Sequence, residues 1–525
     1  MKIMEGIERG IDRAIGIFNP KARYKREAYR QAISAFTVYK GADRSRLYSD
    51  WLASSGSADS DLLFELKTLR ERSRDLNRND AHASGITNTI TTNTVGTGIV
   101  PQARINAKNL GLEDQEKIEE LQTLQEDIWE KWVPFADVQN RMDFFEIQSL
   151  VDRQILENGE AILMPVMIDD QTRPYSLALD VIESDRLESP FGKANDPKIR
   201  GGVQLGDRGE PTGYWIREFH PGDIRISRGI SRNIFRFIPA ESPSGRKNIF
   251  HLYPVLRPGQ SRGVPFFAPV MNYFKNLADY MEAELVAARI AACFAIFIKK
   301  EDAYGAALGR TQSTNAKGQK LEAMEPGIIE YLSPGEDITS FNPNRPGGNF
   351  EPFVDRMLRA ICAALNLPYE LVAKDFSKTN YSSARASLLE ARRYFKCRQI
   401  WLTRKLCQPV WEMLMEEAYL RSELPIQNFY ENKKDYCRAR WITPGWAWVD
   451  PMKEAESSEL AIQTGVSTLA DENAAQGRDW EETLEQRARE AKKIKELESE
   501  FGVQLSASSK KKEIGKEERP DEKTK

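Results

Sequence analysis

The stretch that decides the fold is residues 266–298, FFAPVMNYFKNLADYMEAELVAARIAACFAIFI. Apolar side chains recur along it at helical spacing: Val270, Phe274, Leu277, Met281 and Ala288. The pattern predicts one continuous helix, which at about 1.5 Å per residue would be roughly 50 Å long. Small side chains crowd its second half and would let another helix approach closely: Ala283, Ala287, Ala288, Ala291 and Ala292. A helix this apolar needs cover on most of its circumference, either from its own chain or from neighbouring subunits.

Two further helices are predicted downstream of this stretch. Residues 300–348 are polar and rich in glycine and proline, and a helix pattern follows at 350–365. A polar loop at 374–381 then precedes a long helix at 383–421. Pro409 should interrupt that helix, because proline removes a backbone hydrogen bond.

Helical and strand patterns alternate upstream of the long helix. Helices are predicted at 62–78, 80–95, 113–132 and 144–158. Strands are predicted at 99–105, 161–168, 177–182, 214–219 and 249–253. Proline, glycine and aspartate separate the later strands, as at 206–213. This part of the chain is therefore predicted to be an α+β domain.

The two ends of the chain differ in character from the middle. Residues 1–61 are basic and aromatic up to Tyr48 and end in a stretch rich in serine, glycine and aspartate, which indicates a partly flexible arm. From residue 450 the pattern is helical again. A tail rich in lysine and glutamate begins at residue 506 and is predicted to be disordered.

Length and composition limit the classes of protein. At 525 residues the chain exceeds what one hydrophobic core supports, and its 41% hydrophobic and 29% charged residues are typical of a soluble globular protein. The nearly apolar run at 285–298 contains Arg289 and is too short to cross a bilayer, and the charged N-terminus lacks a signal-peptide pattern, so we expect no membrane partner. The net charge of −3 excludes a strong general affinity for nucleic acid, since such binders usually carry a basic excess.

The sequence carries no recognisable catalytic or ligand-binding motif. A DNA-packaging ATPase needs a glycine-rich loop that ends in Gly-Lys-Ser/Thr, but Gly318 is followed by Gln319. The histidines His82, His220 and His251 are far apart in sequence, and the five cysteines are scattered without metal or redox spacing. We therefore expect no enzyme activity, no cofactor and no metal site.

Four segments together resemble the lambda-type family of tailed-bacteriophage portal proteins. They are residues 72–102, RSRDLNRNDAHASGITNTITTNTVGTGIVPQ; 181–190, VIESDRLESP; 251–292, which contains RPGQSRGVPFFAPV and LADYMEAELVAARIAA; and 358–390, which ends in LPYELVAKDFSKTNYSSARASLLE. None of the four is a catalytic motif. Their order and spacing carry the resemblance, which covers about residues 25 to 450.

The resemblance implies the α+β portal fold, a ring-forming subunit with a wing, a two-helix stem, a clip and a helical crown. It assigns the segments as follows: N-terminal arm 1–61, wing 62–263, first stem helix 264–299, clip 300–348, second stem helix 349–372, tunnel loop 373–382, kinked wing-to-crown helix and following segment 383–449, crown 450–505 and charged tail 506–525. The alanines of the first stem helix would then pack between subunits. An apolar helix that one chain cannot cover becomes understandable when neighbours in a ring cover it.

The function that the resemblance implies is a channel for double-stranded DNA during packaging and ejection, at the unique vertex of the capsid. The implied partners are further copies of the chain, usually twelve in all, DNA without sequence preference, the large terminase subunit, a head-completion or adaptor protein, and the major capsid and scaffolding proteins. The protein would be assembled in the host cytoplasm and reside in the virion. By the same resemblance the candidate channel residues are Lys374, Asp375, Lys378, Asn380 and Tyr381.

Two other classes of protein remain as alternatives. One is a nuclease or ATPase of the packaging machinery, against which the missing phosphate loop and the missing cluster of metal ligands argue. The other is a different virion assembly component, such as a capsid or adaptor subunit. The predicted pair of long stem-type helices favours the portal class over this second alternative.

Overall fold

The computed structural model describes residues 53, 55–193, 195–223, 234–293, 297–299, 330–332, 350–446 and 451–501, together with residues 15, 20–22 and 24–26. The chain divides into two compact units, Met1–Asp61 and Leu62–Lys525. In the first unit the residues described near the N-terminus are helical. Among the described residues, the β-sheets and the hydrophobic cores all belong to the second unit.

The second unit is a mixture of helices and short, mostly antiparallel sheets. Its described helices are α1 (Leu66–Asn79), α2 (Ala81–Thr94), α3 (Ala107–Leu110), α4 (Gln115–Trp132), α5 (Phe144–Asn158), α6 (Met271–Cys293), α7 (Phe350–Ala364), α8 (Tyr369–Ala373), α9 (Tyr381–Leu402), α10 (Gln408–Leu420), α11 (Lys433–Tyr436), α12 (Pro451–Gln463), α13 (Leu469–Ala475) and α14 (Trp480–Phe501). Its strands are β1 (Val100–Ala103), β2 (Ala161–Met167), β3 (Leu177–Ile182), β4 (Ile199–Arg200), β5 (Val203–Leu205), β6 (Pro211–Arg217), β7 (Phe235–Pro239), β8 (Phe250–Leu252), β9 (Phe297–Lys299), β10 (Glu330–Leu332) and β11 (Ala439–Ile442). The predicted α+β class is confirmed. None of the described helices has the length and hydropathy needed to span a membrane.

Capping side chains set the boundaries of the upstream helices. Asp80 ends α1 and begins α2: its backbone N–H donates to Leu76, and its side chain accepts from the backbone N–H of Ala83. At the start of α5, Asp143 and Glu146 each bond the other's backbone N–H, which is a complete capping box. These two helix starts lie within one residue of the predicted boundaries.

Two small sheets build the upstream domain. Strand β2 lies at the centre of the first sheet and pairs antiparallel with β3 and β8. Strands β4 to β7 form the second sheet in the order of the chain, all antiparallel. The predicted strands at 161–168, 177–182, 214–219 and 249–253 are confirmed in place, with ends that differ by up to three residues.

Three hydrophobic clusters hold the second unit together. The first gathers aromatic side chains of α4, α5 and α10: Trp129, Trp132, Phe144 and Trp411. The second joins α2, the start of α6, α7 and α9, through residues that include Ile90, Phe274, Ile361 and Phe395. The third lies between the two small sheets and contains Ile162, Ile182, Tyr214 and Ile216. Each cluster combines segments that are distant in the sequence, so tertiary packing joins them into one unit.

The long helix predicted at 266–298 is shorter than expected at both ends. A single 3₁₀ turn at Ala268–Val270 contains Pro269, and α6 begins only at Met271. At the other end Phe297–Lys299 forms β9 and pairs in parallel with β10. The prediction was wrong here because apolar, aromatic and β-branched residues at 294–298 satisfy a strand pattern as well as a helical one.

The third long helix is interrupted, as predicted, but by a different local structure. Residues Thr403–Cys407 form a π-helical segment between α9 and α10, and Pro409 occupies the first turn of α10. A proline in the first turn of a helix needs no hydrogen bond of its own. The first buried residues of α9, Ala391 and Phe395, belong to the second cluster, whereas Val410 in α10 belongs to the first. Apart from β10, the predicted clip at 300–348 lies outside the described residues, as does the predicted tail from 506.

Candidate functional site

The loop between α8 and α9 contains the candidate channel residues and is built by its own short-range hydrogen bonds. Lys374 ends α8 in the left-handed region, with φ of +53°. Asp375 Oδ1 accepts from the backbone N–H of Ser377 at 2.9 Å, and Thr379 Oγ1 donates to the Phe376 carbonyl at 2.9 Å. These bonds shape the turn.

The second half of the loop leads into α9. Asn380 is the N-cap residue, and its side-chain oxygen accepts from the backbone N–H of Ser383 at 2.8 Å. Tyr381 is the first helical residue of α9, not a loop residue as predicted, and its side chain is exposed. The side-chain oxygen of Asn380 is therefore already used, whereas the Tyr381 ring remains accessible in the single chain.

The two lysines of the loop have different surroundings. Lys378 Nζ lies 2.5 Å from Glu351 Oε1 and 3.3 Å from Asp355 Oδ2, and both carboxylates belong to α7. Their hydrogen bonds raise the pKa of Lys378 to about 12. Lys374 is exposed, and within the described ranges it forms no ion pair. The structure thus pairs Lys378 with two carboxylates and leaves Lys374 exposed to solvent.

Asp355 is held from two sides. Its Oδ1 accepts from the Tyr369 hydroxyl at 2.9 Å, while its Oδ2 faces Lys378. The Tyr369 hydrogen bond, followed by that of Lys378, lowers the pKa of Asp355 below its ordinary value. The guanidinium of Arg359 lies 4.3 Å from the centre of the Tyr369 ring and holds the ring in place. The α7 helix therefore presents Asp355 to the loop in a fixed orientation.

Helix α6 changes character along its length. Phe274 and Leu277 in its first half are buried in the second cluster. In its second half Met281, Leu285 and Val286 are between 43% and 51% exposed. Of the five predicted packing alanines, Ala283 is exposed and Ala287 and Ala288 are half-buried, while the side chains of Ala291 and Ala292 lie outside the described set. Within the described part of the chain, an apolar face of α6 is therefore exposed.

A buried ion cluster in the upstream domain was not predicted from the sequence. Glu160 is fully buried, and its carboxylate accepts from Arg70 Nη2 at 2.7 Å, Arg262 Nη2 at 2.6 Å and the Gly263 backbone N–H at 2.8 Å. His251 Nε2 lies 3.0 Å from Glu160 Oε2. Burial alone would raise the pKa of Glu160, but the two arginines and His251 outweigh burial and hold it well below its ordinary value.

This cluster joins three of the four segments on which the family resemblance rests. Arg262 and His251 come from segment 251–292, and Asp185, 3.7 Å from Arg70, comes from segment 181–190. Arg74, in segment 72–102, forms a 2.5 Å ion pair with Asp185. The ion cluster thus connects residues of three segments that are distant in the sequence.

Three residues near this cluster could in principle hold a metal ion. Glu183, Asp185 and His220 place one ligand atom each within 4.8 Å of one another. However, His220 Nδ1 accepts from the Gly222 backbone N–H at 3.0 Å, so the neutral ring carries its proton on Nε2, which faces Asp185 at 3.2 Å. A metal would need the lone pair at that position. The geometry therefore favours a structural hydrogen-bonded group at these three residues.

The comparisons with known proteins agree on one family. The model of the lambda family of phage portal proteins matches residues 44–399. The probable portal protein of Halomonas phage phiHAP-1 is 26% identical over 469 residues, which cover 88% of this chain and 87% of that protein. The portal protein of Escherichia phage N15 is 25% identical, with 84% and 87% covered. Portal protein B of Escherichia phage lambda is 24% identical, with 84% and 86% covered.

Among solved structures, a chain from the virion of a native gene transfer agent particle covers 79% of this chain and 93% of its own, with 13% identity and a TM-score of 0.39. A chain from the neck of an empty particle covers 77% and 93%, with 15% identity and a TM-score of 0.38.

The α+β fold and these relatives together define the class of the protein as a phage portal subunit. Because the family model matches more than half of the chain, this protein belongs to the lambda family of phage portal proteins. Proteins of this family are structural components of the virion.

Proposed function

We propose that twelve copies of this chain form a ring at the unique vertex of the capsid, and that double-stranded DNA passes through the ring during packaging and ejection. The observation that carries this proposal is the family match over residues 44–399, which includes α6, α7 and the loop before α9. The proposal covers the arrangement of the subunits and their contact with DNA.

The uncovered apolar face of α6 supports assembly between subunits. This face contains Met281, Leu285 and Val286, and Phe353 on α7 is another exposed apolar side chain, at 44%. The two helices contact each other through Tyr280, whose ring centre lies 4.6 Å from that of Phe353. In a ring, one face of a subunit meets a different face of its neighbour, so an apolar strip of this kind is buried without forming a closed dimer. Ala283, Ala287, Ala288, Ala291 and Ala292 are proposed to allow the close approach.

The remaining partners follow from the proposed segments. Residues 300–348 form the clip that docks the large terminase subunit during packaging and the head-completion or adaptor protein afterwards. The wing at 62–263 faces the major capsid and scaffolding proteins during assembly in the host cytoplasm. In this proposal the energy for packaging comes from terminase and not from this protein.

The loop between α8 and α9 is proposed to line the channel. There Lys374, Asp375, Lys378, Asn380 and Tyr381 face the passing duplex. Lysine ammonium groups are compact point charges on flexible stems, and they contact phosphates without the bidentate geometry of arginine. Such contacts are independent of base sequence and are screened by salt, which suits DNA that has to slide.

The test is electron microscopy of the purified full-length protein in negative stain. End-on views should show rings with a central hole, and mass photometry of the same sample should give a mass of twelve subunits. The same rings should neither hydrolyse ATP nor cleave DNA. A protein that is folded by circular dichroism but stays monomeric, even with scaffolding protein added, contradicts the proposal. Turnover that disappears on mutating a residue of this chain would instead favour a packaging enzyme.

A further inference from the structure

The two ion pairs of Lys378 indicate that this lysine also positions the loop, in addition to its proposed contact with DNA. We propose that Glu351 and Asp355 are positioning residues that hold the loop between α8 and α9 on α7 through Lys378, and that DNA phosphates compete with them for this lysine. The inference rests on the proposed channel function and adds two acidic residues to it. Glu351, Asp355 and Lys378 are here called the loop latch.

The geometry of the latch gives Lys378 two alternative partners on one helix face. Glu351 and Asp355 are four residues apart, so both carboxylates project from the same side of α7. Asp355 is oriented by the Tyr369 hydroxyl, whereas the Glu351 side chain is 71% exposed. One lysine cannot neutralise two carboxylates, so the latch carries a net charge of about −1 when closed. A closed latch therefore repels a phosphate that approaches it.

The same geometry makes the latch reversible. The Lys378 side chain is 54% exposed, and exposed ion pairs are weak and screened by salt. Its flexible stem can turn from the carboxylates to a phosphate without movement of the backbone. Opening exposes one positive charge on the loop and two negative charges on the stem, and it also frees the loop from α7. Loop position and DNA contact are thereby coupled.

The latch distinguishes the two lysines of the loop. Lys374 has no carboxylate partner in the described structure, so its charge is available to DNA at all times. Lys378 is available only after it leaves Glu351 and Asp355. In such a channel Lys374 attracts DNA phosphates weakly at all times. Lys378 attracts them only when the latch is open. Removal of the carboxylates should convert the second lysine into the first kind.

The first test measures the binding of assembled rings to a short, end-labelled linear DNA duplex by fluorescence anisotropy over a range of salt concentrations. The double variant Glu351→Gln with Asp355→Asn should bind several-fold more tightly at low salt. Its salt dependence should also be steeper, because each additional phosphate contact adds about 0.9 to the slope of log K against log salt. Addition of Lys378→Gln to the double variant should remove the steeper salt dependence and most of the gain in affinity, and Lys378→Arg should preserve both.

The matched control is Glu390→Gln, which removes an exposed negative charge on α9 that has no contact with Lys378 in the structure. If this variant gains as much affinity per charge removed as the double variant Glu351→Gln with Asp355→Asn, net charge alone explains the effect and the latch is refuted. A steeper salt dependence that persists after Lys378→Gln refutes it as well. Negative-stain images of every variant show whether rings are present, so failure of the latch in intact rings is distinct from failure of the proposed channel.

A second test reads the latch without relying on DNA affinity. A carbodiimide joins a lysine amine to a carboxylate only when the two are in contact, and the product is detected by mass spectrometry. The wild-type protein should give a cross-link from Lys378 to Glu351 or Asp355, in rings or in free subunits. Saturation of the rings with the duplex should reduce its yield, while the cross-link between Lys433 and Glu416, which are 2.6 Å apart, serves as the internal reference. Absence of the Lys378 cross-link, or a yield unchanged by DNA, would overturn the proposal.

Discussion

Replacement of Glu160 by glutamine should destabilise the upstream domain strongly, although the two side chains have nearly the same shape. Glutamine replaces one carboxylate oxygen by an amide group that donates hydrogen bonds. Arg70, Arg262, His251 and the Gly263 backbone N–H all surround this position, and most of them are donors. In the variant the amide NH₂ group of glutamine therefore faces other hydrogen-bond donors. The two buried guanidinium groups also lose the negative charge that they share.

The expected loss follows from the remaining contacts of the two arginines. Removal of one partner from a buried ion pair typically costs about 3–5 kcal/mol. Arg70 retains the Asn158 carbonyl and Asp185, and Arg262 retains the carbonyls of Leu187 and Gly201. These acceptors place the expected loss at the lower end of the range, about 3 kcal/mol.

The assay is denaturant unfolding followed by tryptophan fluorescence at equal protein concentration and assembly state, because oligomerisation adds to apparent stability. The exposed α4 substitution Glu116→Gln is the control and should stay within about 0.5 kcal/mol of the wild type. Since the pKa of Glu160 is depressed in the folded state, its contribution is complete above about pH 4.5 and is lost as the pH falls below that value. The gap between wild type and variant should therefore be constant above about pH 6.5, where the neighbouring His251 is neutral, and should shrink as the pH falls below about 4.5. A loss under about 1 kcal/mol at neutral pH would refute the argument that the charge of Glu160 compensates the arginines.

Three further predictions concern assembly, pH and the channel. Ala288→Glu should reduce ring formation in sedimentation velocity, because it places a charge in an apolar contact, whereas Lys275→Glu on the same helix serves as an exposed control; equal assembly of both would argue against the α6 interface. Burial raises the pKa of Glu126 to about 7, so the free energy of unfolding should fall as the pH rises from about 4.5 to 7. Glu126→Gln can still accept from the Ala103 N–H, and it should remove this pH dependence and add about 1–2 kcal/mol at pH 8 in denaturant unfolding. Parallel pH profiles of the wild type and the variant would contradict this prediction. Lys374→Ala combined with Lys378→Ala should leave rings intact but alter packaging or retention of DNA without regard to base sequence; full-length packaging and normal retention by such rings would remove the loop from the mechanism.

Local patterns allowed much of the secondary structure to be predicted. Helices α4 and α5 and strand β3 were placed within two residues, because their apolar periodicity and their capping or turn residues lie within the segment itself. The α6 boundary at Cys293 was missed, since the apolar residues beyond it fit both a helix and a strand. Local pattern could not decide between the two, and the pairing of β9 with β10 involves residues about thirty positions away.

The candidate site was predictable in its location but not in its contacts. The family resemblance indicated the loop at 374–381, yet Lys378 pairs with Glu351, 27 positions earlier. Similarly, Glu160 lies 102 positions before Arg262. Charge partners separated in this way leave no periodic signal in one sequence. Their pairing depends on how helices and strands pack, which composition and spacing do not specify.

The π-helical segment at Thr403–Cys407 places a limit on which changes of length the protein tolerates. Upstream of it α9 contributes Phe395 to the second cluster, and downstream α10 contributes Val410 and Leu414 to the first. Deletion of one residue within the segment would turn everything downstream by about 100° relative to α9. The apolar side of α10 would then leave its cluster and polar positions would enter it. Related chains should therefore vary in residue type at 403–407 while keeping the number of residues between the two clusters constant.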